Sequence, residues 1–567
     1  MPKLPKFAVE IKEEGGLLPA FLLLGLWAAL LLVPDTQLLD LKRALAFAWV
    51  SAALGLLAWR VAQGKPSALP KLRFRLLVGT LVLVYALASS LGPYPNAGNY
   101  RIEVLVLGVF FALFAAGLPE TVRERWPAVT LAAAALVAIY ALLQRCGIEP
   151  IAAYRLAGSA DRAMGPFGNA GFLAAFLCFV WPLSLLWHDR RRPALFVLLT
   201  LALLATQSRA GLVALAAQLL LLGIQAWKEG LRPRLAPLAL GLLMTVAAVA
   251  WLFPWAAWLR PTLRWPLWSE SLRLFLQRPW LGWGPGSFPL ALQEHGSAAF
   301  NAALGGTQYA EHPHQWLLSI AVEAGLLGLA AWAALLGTIQ PWPRTDLRRS
   351  PLQRAVALGL FGLLVENLFD RNLDQAALSS CFFFGLGLLY QGEPAAPKVN
   401  RRWLALPVLF LALNFAWLGL QPVLAYRTAV AAEPVSTAVH ADELRKIVAE
   451  NPTDPGALDR LASVLASQGS FEEAARALES AYRLQASPGR AQNLGNCFME
   501  LGRPAEAEAR YRMGLLLGPA SADLHFSLGY ALFKQKKLKP ALTELDAALK
   551  LEPGHAGAAK LKEQILR

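Results

Sequence analysis

Long apolar blocks with almost no charge recur from residue 17 to residue 421 and then stop, and they constrain the fold of this chain more than any other feature. Leu17–Val33, Ala44–Val61, Leu76–Leu91 and Val104–Leu118 each approach the ~20 residues that an α-helix needs to cross a ~30 Å hydrocarbon core. Similar blocks lie near 128–143, 170–187, 194–206, 210–227, 235–257, 316–336, 355–369, 377–391 and 403–421. With 56% hydrophobic and only 16% charged residues in 567, the chain is too apolar to cover the surface of a soluble protein. The pattern predicts an all-α, polytopic membrane protein of about 12–13 transmembrane helices over residues 1–421. The first block follows a stretch that mixes Lys3, Lys6 and Lys12 with Glu10, Glu13 and Glu14, and no small-residue cleavage site follows it, so it is read as a retained helix.

Charge gives the orientation. The net charge of +15 sits almost wholly in the membrane part, because residues 422–567 hold 18 Lys/Arg against 17 Asp/Glu. A basic excess spread over the loops of a membrane domain sets topology and meets anionic lipid, which argues against a nucleic-acid partner. With a cytoplasmic N-terminus, the inner segments and their edges hold 23 Lys/Arg and the outer ones 12. An odd number of spans then places residues 422–567 outside the cytoplasm, provided that 194–206 and 210–227 are two helices and not one broken helix. The outer cations are arginines apart from Lys42, and the planar guanidinium fork suits phosphate oxygens better than an ammonium does. Cys146, Cys178, Cys381 and Cys497 have no metal-like spacing and read as small apolar fillers.

The tail repeats. Ala474, Ala507 and Ala541 recur at 33–34 residues, each preceded by thirteen positions by Leu461, Leu494 and Leu528 and followed by four by Leu478, Tyr511 and Leu545. Ala462, Gly495 and Gly529 follow the leucines, and Pro519 and Pro553 close two units. This is the tetratricopeptide pattern of paired helices, in which small residues admit close approach and large ones fill the groove. Residues 422–567 are therefore expected to form an extracytoplasmic α-solenoid, with a further helix over Ser436–Glu450 capping it.

The chemistry-bearing region is the outer loop 259–315, long enough to be functional. It reads RWPLWSESLRLFLQRPWLGWGPGSF from Arg264, and then EHPHQWLLSIAVEAGLLGL from Glu311. Arg264, Trp268, Pro279, Gly282, Gly284, Gly286 and Phe288 resemble one signature of the family of O-antigen ligases, O-antigen polymerases and protein O-oligosaccharyltransferases. His314, Leu318, Glu323, Gly325 and Gly328 resemble a second. TQSRAGLVAL (Thr206–Leu215) and RAMGPFGNAGFLAAFL (Arg162–Leu177) are similar to two more of its elements, and the resemblance spans about residues 100–391. The span and repeat tail beyond residue 400 depart from the basic pattern and are better matched in relatives that glycosylate proteins.

The resemblance implies a bacterial inner-membrane enzyme that moves a saccharide from a polyprenyl-pyrophosphate donor to an acceptor hydroxyl on a lipid, a glycan or a protein, with the repeat domain free to dock the acceptor. Arg209 and Arg264 would take the pyrophosphate, with Arg162 beside them, and His314 would be the general base, with His312 as runner-up. Trp268, Gly284, Gly286 and Glu323 complete the implied substrate-binding set. A leaving pyrophosphate needs preorganised positive charge, and an imidazole suits proton removal near neutral pH. No acidic pair is evident outside, so no metal and no cofactor is expected, and a single displacement would invert the anomeric carbon. Pro313 is expected to send the two imidazoles in different directions, so that one of them alone faces the acceptor. Glu366, Asp370, Arg371 and Asp374 are expected to pair with one another at another outer helix end.

Overall fold

The computed structural model of the protein describes residues 17–33, 41–62, 68–69, 72–94, 99–118, 120–149, 162–186, 192–228, 230, 264–297, 300, 312–337, 350–390, 393–394, 405–431, 440–450, 455–484, 487–517, 521–552 and 554–566. The membrane part contains α1 (Leu17–Leu32), α2 (Leu41–Ala62), α3 (Leu72–Leu91), α4 (Asn99–Ala116), α5 (Glu120–Arg145), α6 (Ala170–Val180), α7 (Arg192–Ala205) and α8 (Arg209–Lys228). After the outer segment with α9 (Arg264–Gln277) and α10 (Phe288–His295) come α11 (Trp316–Leu336), α12 (Pro351–Asn367), α13 (Ala376–Leu389) and α14 (Ala405–Ala431). Of the expected spans, 235–257 lies outside the described residues; each of the others coincides with a helix. Five of the described helices are on their own long and apolar enough to cross a bilayer.

The pair in question, α7 and α8, is two helices separated at Thr206–Ser208, where Gln207 takes a left-handed φ of 51°. α14 does not stop at residue 421 but runs on to Ala431, so helix continues past the boundary that hydropathy marks. The aromatic residues Trp27, Trp49, Phe111, Trp126 and Phe384 cluster in the core, with Trp49 stacked on Phe111 at 4.3 Å and Trp126 on Phe384 at 5.1 Å, and Trp27 tilted against Phe384 at 4.6 Å. Buried Gln218 on α8 donates to the carbonyls of Cys178 on α6 and Leu358 on α12, each at 2.9 Å, and so ties three helices by one amide. Leu406, Phe410 and Leu413 on α14 face outwards and are 61–74% exposed, as expected of a lipid-facing surface.

A two-residue ladder between β1 (Ala68–Leu69) and β2 (Glu393–Pro394) is the departure from an all-helical chain. It joins two loops that the charge pattern assigns to the same, inner side. The loops assigned to the outer side meet at the other end of the bundle.

The tail folds as helix pairs: α16 (Pro455–Ser467) with α17 (Phe471–Leu484), α18 (Pro488–Glu500) with α19 (Pro504–Leu517), and α20 (Ala522–Lys534) with α21 (Leu538–Leu551). α15 (His440–Glu450) precedes them and α22 (Ala556–Leu566) closes the array. Ala474, Ala507 and Ala541 are completely buried where the paired helices touch. Leu290 on α10 packs against the core of this array, which sets the first repeat beside the outer loop.

Candidate active site

α4, α6, α8, α9, α11 and α13 begin in the segments that carry the candidate site residues. Each carries partial positive charge at that end, and side-chain oxygens of Asn169, Ser208, Gln315 and Gln375 already accept from first-turn amides of α6, α8, α11 and α13.

The scaffold of the site is a break in α11. At Gly325 the helix departs to φ 64°, ψ −160°, which frees backbone groups on either side. The Pro279–Gly286 turn takes them up: the amides of Trp283 and Gly284 donate to the carbonyls of Val322 and Glu323 at 2.8 and 3.0 Å. In return the amides of Leu326 and Leu327 donate to the carbonyls of Pro279 and Trp280 at 2.7 and 3.2 Å. Glycine is required on both sides. A Cβ on Gly282 would stand 2.4 Å from the Val322 oxygen and one on Gly325 2.3 Å from the Trp280 oxygen, and both residues have positive φ. The two signatures of the outer loop are thus the halves of a single backbone joint. Gly284 (φ 102°) and Gly286 (φ 71°) complete the turn.

Glu323, expected among the substrate contacts, is instead occupied inside this joint. It is 1% exposed, accepts two hydrogen bonds from Arg371 at 2.9 and 2.7 Å, and also pairs with Arg101. Both arginines also reach Asp374, at 3.3 Å from Arg101 and 2.5 Å from Arg371. Buried Arg371 and half-buried Arg101 balance two carboxylates here, as a low-dielectric site demands.

The other cations are exposed. Arg162 donates through Nε to the Thr206 carbonyl at 3.1 Å, which brings the Arg162–Asn169 element onto the turn before Arg209. Burial against that turn, and then the like charge of Arg209, hold the Arg162 guanidinium below its usual pKa, with Asp370 acting the other way, although the residue as a whole is exposed. Arg264 donates from Nη1 to the Phe369 carbonyl at 3.3 Å and so stands next to Asp370. Arg162, Arg209 and Arg264 therefore share one rim, all three exposed.

Facing them is the His312–Pro313–His314 turn. Trp268 fixes it by donating from Nε1 to the Pro313 carbonyl at 2.9 Å, so the expected substrate-binding tryptophan holds the histidines in place. Gln315, not a histidine, caps α11. His314 is held at φ 52°, a left-handed conformation that is uncommon outside glycine and stored where surroundings enforce it.

That φ corrects the expectation that the two imidazoles point apart. The chain doubles back at His314, and the rings lie with their centroids 4.4 Å from each other. Both face Asp370: His314 Nδ1 is 3.5 Å and His312 Nε2 3.7 Å from Asp370 Oδ1. Burial raises the Asp370 pKa, but the two imidazoles and the Arg371 amide outweigh it and hold the carboxyl well below the carboxylate range. Burial pushes the His312 imidazole down; Asp370 opposes this, and Arg371, His314 and Arg101 add to it. Asp370 thus departs from the acid–arginine cluster expected of its segment. Within that cluster Arg371 and Asp374 do pair, whereas buried Glu366 accepts from Asn372. Asp370 also lies over the start of α6, its Oδ2 3.4 Å from where a Gly171 Cβ would be. Its place beside His314 is the site feature that sequence reasoning missed, since nothing in the spacing of two segments so far apart signals it.

Residues 194–333 match the sequence model of the family described as O-antigen ligase, and this interval contains Arg209, Arg264, Trp268, both histidines and the α11 joint. Over residues 194–333 the chain carries a domain similar to the O-antigen ligases. Arg162, Asp370 and Arg371 lie outside the matched interval and are brought to the ligase domain by the fold. The match supports a membrane transferase of lipid-linked saccharides in general. The chain is also similar to cellulose synthase operon protein C of Pseudomonas fluorescens (strain SBW25), 29% identical over 123 residues. That stretch is 20% of this chain, and it spans 10% of the length of that curated relative. Among solved structures, similarity extends to the first TPR domain of human RPAP3 (21% identity, TM-score 0.19, 20% of this chain and 89% of that one). The TPR domain of Arabidopsis OM64 (19%, 0.19, 20% and 93%) and MamA of Desulfovibrio magneticus RS-1 (17%, 0.22, 23% and 74%) are similar too.

Proposed function

We propose that the ligase domain transfers a saccharide from a polyprenyl-pyrophosphate donor to an acceptor hydroxyl on the extracytoplasmic face of the membrane, with inversion and without a metal requirement. The observation that carries this reading is the placing of three exposed arginines beside a histidine–aspartate pair. The rim of Arg162, Arg209 and Arg264 takes the pyrophosphate, whose charge grows as the sugar–phosphate bond breaks. Asp370 accepts from Nδ1–H of His314, which leaves the Nε2 lone pair to remove the acceptor proton as its oxygen attacks the anomeric carbon. His312 shares the same carboxylate and is the second candidate for that role. The repeat array beside α10 favours a bulky acceptor, hence ligation or transfer to protein, over polymerisation of repeat units. A lipid-linked-saccharide transporter is the other class, and the grouping of polar side chains at one end of the bundle speaks against it.

Arg209→Ala and Arg264→Ala should each remove most transfer from purified donor to acceptor, chiefly by raising the KM for donor. The corresponding lysine variants should recover only part, since a point charge replaces a fork. Parental rates in all four would end the pyrophosphate assignment.

Sidedness has its own test. A reporter fused after Arg567 should be active as alkaline phosphatase and dark as green fluorescent protein. The reverse pattern would place the repeat array and the cleft in the cytoplasm.

A further inference from the structure

We propose that His312, His314 and Asp370 form a binding site for a zinc-type divalent ion, and that the bound ion switches the transferase off. The inhibitory half rests on the functional reading above; the site itself does not.

One ligand atom from each residue, two imidazole nitrogens and a carboxylate oxygen, lies within 4.8 Å of the other two. The two nitrogen–oxygen separations are 3.5 and 3.7 Å. A tetrahedral ion with bonds of about 2.0–2.2 Å needs its ligands about 3.4 Å apart, so the two nitrogen–oxygen separations already fit to within a few tenths of an ångström, and closure is completed by drawing together the two imidazole nitrogens, which lie within 4.8 Å. The donors are already held. Trp268 clamps the carbonyl between the two histidines, and the Arg371 amide donates to Asp370 Oδ1 at 2.9 Å. Two imidazoles and one carboxylate suit zinc, cobalt or nickel better than magnesium or calcium, and they leave a fourth position open to the cleft.

The chemistry of the tautomer gives the consequence. In the apo site His314 carries its proton on Nδ1, towards Asp370, and offers Nε2 as base. An ion bound at Nδ1 takes that lone pair, the proton moves to Nε2, and Nε2–H can donate but no longer accept. No proton need be lost and no oxidation state changes. The ion would also neutralise Asp370, which otherwise fixes both rings.

The test uses the tag-free full-length protein in nanodiscs. Titration with Co(II) should give one equivalent of four- or five-coordinate visible absorption, displaced by Zn(II). His312→Ala and the isosteric Asp370→Asn should both lose that absorption, while His295→Ala, on the exposed end of α10, should keep it. In transfer assays EDTA should leave turnover unchanged or raise it, and stoichiometric Zn(II) should lower it at least tenfold, reversibly with chelator. Absence of the Co(II) signal, or its survival in both ligand variants, overturns the site. Binding with undiminished turnover overturns the inhibitory role. Loss of turnover in EDTA, restored by Zn(II), overturns both that role and the metal-free mechanism. A protein that binds Co(II) as described but accepts no polyprenyl-pyrophosphate donor would sink the functional reading and leave the site standing.

Discussion

His314→Ala should lower turnover by ~10²–10⁴-fold, the usual contribution of a general base, and leave donor affinity nearly intact. The separation of the two effects matters more than the size of either. Under the proposed function the arginine rim contacts the pyrophosphate in the ground state, so its variants should act on donor binding, whereas the imidazole is engaged only as the acceptor proton moves. Asp370→Asn should give a smaller loss of kcat and a shifted pH–rate profile, because it weakens the hydrogen bond that sets the tautomer without removing the base. His312→Ala should cost less than His314→Ala, though it is not a silent control, since its ring packs against that of His314 and shares its carboxylate. An inactive His312→Ala beside an active His314→Ala would exchange the two roles, and activity in both would remove histidine from the mechanism.

Glu323→Ala should be the most destabilising single substitution at this end of the bundle. Arg371 and Arg101 converge on its carboxylate, and removing one member of a buried ionic group costs about 3–5 kcal/mol because the remaining charges are left uncompensated. Glu323→Gln keeps the volume and some hydrogen bonding and should cost less. Thermal unfolding of the purified variants in detergent measures both. An unchanged midpoint for Glu323→Ala would show that the network does not hold α11 to the α12–α13 turn. Because Arg371 adjoins Asp370, activity should fall along with stability even though Glu323 is remote from the acceptor.

What could be read in advance followed from how local each signal is. The helix spans and the repeat phase announce themselves within one element, as apolar length or as alanines spaced 33–34 residues apart, and the described helices follow both. The end of α14 did not, because hydropathy fades near residue 421 while the backbone hydrogen bonding continues to Ala431. The site motifs were legible as residue types but not as partners. Gly282 and Gly325 each look like an ordinary turn or helix glycine until the two segments meet. Glu323 reads as a functional acid until Arg101 of α4 and Arg371 of the α12–α13 turn cover it. The direction of the imidazoles escaped because the constraint that Pro313 imposes on His312 is only half of the geometry. The left-handed turn at His314, stabilised from outside by Trp268, supplies the rest.

The rim of exposed arginines also bears on how a catalytic cycle ends. A spent carrier with a free terminal phosphate is more anionic than the glycosylated diester that entered, and an electropositive cleft holds the more anionic molecule harder. Under the proposed function such a cleft should be subject to product inhibition, with throughput set by how quickly the bare polyprenyl pyrophosphate departs or is dephosphorylated in the surrounding membrane. Recycling of the carrier and transfer of the sugar are then kinetically one process.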